Sequence, residues 1–180
     1  MHIEILSAAT EFIMENVILV GITWQKGMDF GHEESYLNFI RKDVIKTIEN
    51  NYRTDPDNRT YFGYSFGAVT GAYILSTQTD TFKNYILGSP AFGGGPAVKQ
   101  KVFELESNPA KQRKKLNANV FVSYGTLETA AKHHFEGFIT MLKNRNDESL
   151  SFQHIVVEGD HMTSFPMTAV QSAKWLSSLQ

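Results

Sequence analysis

Short runs rich in Val, Ile, Phe and Tyr recur along this chain, most ending at Gly or Ser, and stretches of helical periodicity separate them. The runs are "VILVGI" (17 to 22), "TYFGY" (60 to 64), "NYILGS" (84 to 89), "NVFVSYG" (119 to 125) and "SFQHIVVEG" (151 to 159). β-Branched and aromatic residues bounded by turn formers mark strands. Between them, "ESYLNFIRKDVIKTIENNY" sets Leu37, Ile40, Val44, Ile45 and Ile48 at spacings of three and four, an amphipathic helix that "RTDPDNR" ends. "FGAVTGAYILS", "AAKHHFEGFITMLKN" and "FPMTAVQSAKWLSSL" also read as helices, the last with a proline near its start, where a missing N–H does no harm. Strand and helix in alternation predict a mainly parallel sheet covered on both faces, an α/β three-layer sandwich. With 180 residues and 42% hydrophobic content the chain can bury one core, so residues 1–180 are expected to form a single domain. The stretch "FGGGPA" (92 to 97) reads as a loop after a strand that leads into no clear helix.

Composition narrows the functions available. A net charge of -2 and a pI near 6.3 give no broad attraction for nucleic acid or anionic lipid. The basic cluster "KQRKK" (111 to 115) reads as a solvated loop or helix face. There is no cysteine, which removes disulfides, thiolate metal sites and cysteine nucleophiles and leaves the redox compartment open. No apolar stretch reaches the roughly 18 residues of a membrane-spanning helix, and the N-terminus lacks a signal pattern. The expectation is a soluble chain, cytoplasmic or periplasmic, with no membrane insertion. No cofactor is implied. "GSPAFGGG" lacks the Lys-Ser ending of a phosphate loop, and the adjacent His133 and His134 should point about 100 degrees apart on a helix, which suits no shared metal ion.

"GYSFG" (63 to 67) carries the chemistry. Small residues there serve close packing of a helix on a strand, but the setting adds a second meaning. Ser65 follows the strand "TYFGY" and opens a helix, as a nucleophile on a strained strand-to-helix turn requires. At that helix start the N–H of Phe66 would face an oxyanion on Ser65. A serine hydroxyl needs a base, and the base needs an orienting carboxylate. Of six histidines, His2 and His32 precede the serine, His133 and His134 fall within a helix and His154 within a strand. His161 follows a strand end and precedes the last helix, which makes it the candidate base. Glu128, just beyond Gly125, is the candidate acid, with Asp160 as its rival. Adjacent side chains on a tight loop seldom face each other, so Asp160 is expected to cap its loop. Tyr64, Phe66, Phe92 and Phe165 are candidates to line an aromatic pocket, with the core beside a buried elbow as the equal alternative, and "GGGPAVKQ" is a candidate pocket rim.

Taken together, "NNYRTDPDNRTYFGYSFGAVTGAYIL", "NYILGSPAF", "NVFVSYGTLE" and "EGDHMTSFP" resemble the putative-esterase family of α/β hydrolases, and within it the enterochelin (siderophore trilactone) esterase-like serine hydrolases. The resemblance implies a catalytic triad of Ser65, Glu128 and His161, with acyl transfer from a small-molecule carboxylic ester to Ser65 and then to water. Ala68 stands where many relatives have a second glycine.

The resemblance also implies a departure at the N-terminus. The family's domain begins with about three strands ahead of "MHIEILSAATEFIMENVILVGI", and the loop after the third supplies a second oxyanion donor. This chain opens on what resembles the helix after that loop, so an N-terminally truncated domain with impaired activity is expected. The alternative is a non-catalytic remnant that binds a ligand or partner. A sheet lacking its third strand should either close "VILVGI" directly against "TYFGY" or recruit a second copy as a homodimer.

Overall fold

The two middle strands of the sheet are apolar along nearly their whole length, and that fixes the layers. The computed structural model describes residues 3–6, 17–22, 32–94 and 96–179. Its strands are β1 (Ile3–Leu6), β2 (Leu19–Ile22), β3 (Thr60–Tyr64), β4 (Asn84–Gly88), β5 (Asn119–Gly125) and β6 (Ser151–Val157). β3, β4, β5 and β6 lie side by side in that order, all parallel. Every residue of β4 and all but the first of β5 are buried, as parallel strands covered on both faces must be. Tyr64 pairs with Gly88, Gly88 with Ser123 and Gly125 with Val157, so the carboxyl ends of all four strands arrive at one edge of the layer. The loops that leave that edge carry the residues of interest.

Helices fill both faces. α1 (Glu33–Phe39) continues through a π-helical stretch, Ile40–Val44, into α2 (Ile45–Asn51). Then come α3 (Phe66–Thr77), α4 (Pro96–Ser107), α5 (Pro109–Gln112), α6 (Lys132–Lys143) and α7 (Phe165–Ser177). Leu37 and Ile40 join residues of α3, α4 and α6 in one large cluster over one face. On the other face Trp175 and Leu176 of α7 pack on Ile86 and Phe121. α3 is buried almost all round, from Ala68 to Ser76, which explains why it carries no charged residue.

Three elements differ from the expectation, at residues 40–44, after "FGGGPA" and at the N-terminus. The predicted amphipathic helix is present but not uniform: five residues, Ile40–Val44, are wound as π-helix. A π-stretch slips the helical register, yet Leu37, Ile40, Val44 and Ile48 all remain buried. "FGGGPA" does lead into a helix. Phe92–Gly94 make a single 3-10 turn and α4 begins at Pro96, burying Val98, Val102 and Leu105 at spacings of four and three. The basic cluster is the solvated face expected, beginning on the short helix α5, with Lys111 paired to Glu104 at 2.5 Å. At the N-terminus, residues 3–6 are a strand and not part of a helix, while residues 7–16 lie outside the described residues. β1 pairs antiparallel with β2, Ile3 opposite Ile22 and Leu6 opposite Leu19. β2 does not join the four-stranded sheet.

Candidate active site

One residue separates β3 from α3, and it is Ser65. To reverse the chain in a single step its backbone takes φ 57° and ψ −118°, a conformation that costs a non-glycine residue energy and survives only where neighbours impose it. They do so here by hydrogen bonds. The N–H of Ser65 donates to Gly88 O at 2.8 Å, and its own carbonyl accepts from Ala68 N at 3.2 Å and Ala91 N at 3.2 Å. The hydroxyl is left to project from the carboxyl edge, 2.8 Å from Nε2 of His161.

His161 sits on the loop between β6 and α7, and Asp160 shapes that loop. Oδ1 of Asp160 accepts from the N–H groups of Met162 (2.9 Å) and Thr163 (2.8 Å) and from the Thr163 hydroxyl (2.8 Å). The Thr163 N–H and hydroxyl, then the Met162 N–H, hold its carboxyl below the usual carboxylate range. Asp160 is therefore the loop's clamp, as its sequence position suggested. The partner of the imidazole is Glu128, whose Oε2 lies 2.7 Å from His161 Nδ1.

Glu128 is carried by a turn after β5 that is stitched to the end of β6: Thr126 N donates to Val157 O at 2.8 Å and Leu127 N to Gly159 O at 2.9 Å. A Cβ at Gly125 would lie 2.4 Å from Gly159 O, so a side chain there would force the two loops apart. The Glu128 side chain is 6% exposed against 40% for His161, leaving the imidazole as the accessible member of the pair. An ionised carboxylate only accepts, so Nδ1 carries the imidazole proton and Nε2 is left to accept the Ser65 hydroxyl. The three residues singled out in the sequence thus form one hydrogen-bonded run.

Three hydroxyls around this run escaped the sequence reading. Tyr64 Oη donates to His161 O at 2.7 Å, and Ser164 Oγ lies 2.7 Å from the same Tyr64 oxygen. Ser89 Oγ donates to Glu128 Oε1 at 2.6 Å. The signal for Ser89 was available, because "LGSP" leaves β4 at the same edge as Ser65 leaves β3.

The pocket aromatics divide. Tyr64 stands against the His161 ring, centroids 5.4 Å apart, and Phe165 packs edge-on to Tyr64 at 5.0 Å while remaining partly exposed. Phe66 is the first residue of α3 and packs against the main core. Phe92 is not a pocket residue: at 1% exposed it fills the core between Phe103 and Phe138, because the 3-10 turn points it inward. A cavity of about 170 Å³ adjoins Glu128, lined by Tyr124, Gly125, Thr126, Lys132 and Val156. His133 and His134 do not fan apart, their rings lying 3.8 Å from each other with Lys99 Nζ 2.9 Å from His134 Nδ1. Among the described residues no cluster of three or more His, Asp or Glu is placed to hold a metal ion, and no helix is long and apolar enough to cross a membrane.

Ferri-bacillibactin esterase BesA of Bacillus subtilis (strain 168) is 31% identical over 107 residues, 59% of this chain and 35% of the relative. The crystal structure of the BES protein from Bacillus cereus superposes with a TM-score of 0.71 at 24% identity, over 87% of this chain and 57% of that one. That of the enterobactin and salmochelin hydrolase IroE gives 0.65 at 18% identity, over 89% and 69%. Both structural likenesses speak to the fold. The chain spans about a third of its curated relative and a little over half of the Bacillus cereus protein. The sequence model of the family described as "Putative esterase" matches residues 21–179, and the chain belongs to that family.

Proposed function

We propose that this chain is a serine esterase that cleaves small carboxylic esters through an acyl-serine intermediate. The observation that carries the reading is the continuous run from Ser65 Oγ through His161 to Glu128 Oε2, with spacings of 2.8 and 2.7 Å, issuing from a strained turn. Ser65 Oγ attacks the ester carbonyl carbon while Nε2 of His161 takes its proton. The imidazolium so formed is stabilised by Glu128, and the N–H of Phe66 donates to the oxyanion. Collapse of the tetrahedral adduct breaks the carbon–oxygen bond to the alcohol, which leaves with the proton from His161. Water, deprotonated by the same imidazole, then releases the acid and restores Ser65.

Leu127, 68% exposed, and Met162, 77% exposed, adjoin Glu128 and His161 in the chain and offer apolar surface to an ester. A relative named as a ferri-bacillibactin esterase makes siderophore-type esters the first substrates to assay. Loss of one oxyanion donor typically slows a serine hydrolase by roughly 100 to 1,000-fold. Comparing this chain with one extended by the family's N-terminal strands therefore reads how complete its oxyanion hole is, equal rates meaning that no donor is wanting. The reading itself is tested by hydrolysis of a p-nitrophenyl ester: the chain should turn it over and Ser65→Ala should not, and turnover retained by the alanine variant would remove Ser65 from the mechanism.

A further inference from the structure

Ser89 is the one member of the hydroxyl group around the run whose backbone argues against its own side chain. It follows β4, is completely buried, and holds φ at 44°. At that angle a Cβ is unfavourable and glycine would serve the backbone better. What glycine would not bring is the hydroxyl, and the hydroxyl is committed. The proton count around it fixes each direction. His161 O can only accept, so the single proton of Tyr64 goes there, 2.7 Å away. Ser164, 2.7 Å from Tyr64 Oη, must then donate to it. Ser89 Oγ lies 2.6 Å from Glu128 Oε1 and 3.1 Å from Tyr64 Oη, and its one proton goes to the nearer, charged acceptor.

Glu128 Oε1 also accepts the Gly125 N–H at 2.8 Å, so this oxygen is held from two sides. A glutamate has one more rotatable bond than an aspartate, and its carboxylate can present either oxygen or swing away. With Oε1 pinned between the Gly125 N–H and the Ser89 hydroxyl, Oε2 is the oxygen that reaches Nδ1 of His161. We propose that the Ser89 hydroxyl is a positioning group that selects the Glu128 rotamer and so fixes the His161 tautomer with Nε2 free to accept from Ser65. Its consequence for rate rests on the esterase reading above. Its consequence for the imidazole does not.

The test uses the full chain, Ser89→Ala and Ser89→Gly, each alone and with Glu128→Gln. Glycine at 89 removes the hydroxyl and relieves the backbone together, so it should fold at least as well as alanine. The first readout is the pair of imidazole ¹⁵N chemical shifts of His161, which report the nitrogen that carries the proton. The native protein should show the Nδ1–H form, and both variants a mixture of tautomers. Unchanged shifts in Ser89→Gly overturn the proposal, whatever the activity. The second readout is the rate of fluorophosphonate labelling at Ser65 and of ester turnover. A lost hydrogen bond to a charged group should slow both by about 10- to 100-fold with KM unchanged. In the Glu128→Gln background the same change should cost less than about twofold, because Ser89 acts through Glu128. An equal loss in both backgrounds would make Ser89 merely structural. A native chain that never labels at Ser65 contradicts the esterase reading and leaves the ¹⁵N shifts to decide the role of Ser89.

Discussion

Of the two glycines that flank Ser65, only one is expected to be indispensable, and a pair of alanine substitutions separates them. A Cβ built on Gly63 would lie 2.3 Å from Gly67 O, 2.4 Å from Gly67 C and 2.8 Å from Ala68 N, all backbone atoms of the first turn of α3. Real Cβ atoms keep at least 3.0 Å, so β3 and α3 would have to separate by about 0.7 Å or more with no flexible side chain to absorb the shift. Overpacking costs ~1–3 kcal/mol, and a contact on backbone belongs at the upper end. For a domain of this size about 3 kcal/mol lowers the unfolding midpoint by roughly 6–12 °C. The movement also opens the 2.8 Å contact between Ser65 Oγ and His161 Nε2, and a misplacement of that order can cost about 100-fold in rate. At Gly67 a Cβ meets nothing within 4 Å among the described residues. Because this glycine is the second residue of α3, where the penalty of glycine is smaller than in a helix interior, alanine should leave stability unchanged or raise it by up to ~1 kcal/mol. Thermal unfolding followed by circular dichroism, with fluorophosphonate labelling on the same samples, reads both effects. A Gly63→Ala protein with native midpoint and labelling rate, or a Gly67→Ala protein as damaged as Gly63→Ala, would refute the reasoning.

Glu128→Gln should lower ester turnover by about 10⁴-fold, because an amide no longer dictates the imidazole tautomer, whereas Asp160→Asn should cost far less; the reverse ranking in a p-nitrophenyl ester assay transfers the orienting role to Asp160. Tyr64→Phe removes the donor to His161 O and the partner of the buried Ser164 hydroxyl, so denaturant titration should show a loss of ~1–3 kcal/mol, and an unchanged midpoint contradicts the hydrogen-bond assignment. At Asp147 burial works to raise the pKa, but the Ser149 hydroxyl, the Leu116 and Ser149 N–H groups and Arg145 outweigh it and hold the carboxyl below its usual range. A depressed folded pKa contributes stability that is full above the unfolded value near 4 and is lost as pH falls through the folded value. Asp147→Asn should therefore be less stable than native at pH 7 and show a shallower loss of stability below about pH 4, read by urea titrations across that range; parallel pH profiles would count against it.

The four parallel strands were legible because each is a short apolar run closed by a turn former, whereas their order in the sheet was not. Ser65, His161 and Glu128 were legible because each falls at the end of such a run, where a parallel sheet gathers its loops. Most of what stayed hidden lacked a local signature. α4 has a polar surface and an entry through "FGGGPA" that resembles a loop, so its apolar positions at 98, 102 and 105 were overshadowed by the glycines. The π-stretch at Ile40–Val44 keeps the apolar residues on the buried side and leaves no mark in the pattern. Phe92 read as a pocket residue because its direction depends on a 3-10 turn that one sequence does not announce. Ser89 and Tyr64 were missed as hydrogen-bonding groups for a different reason. Their partners lie 39 and 97 residues away, and only the packed sheet edge brings them together.

The central claim is that Ser65 is a nucleophile activated by His161. Its most direct measurement is exposure of the folded chain to a fluorophosphonate, followed by digestion and mass spectrometry of the adduct. The account predicts one stoichiometric adduct, mapped to Ser65, that fails to form at a comparable rate in His161→Ala. A folded native chain that takes up no label, or label on a serine other than Ser65, would contradict it.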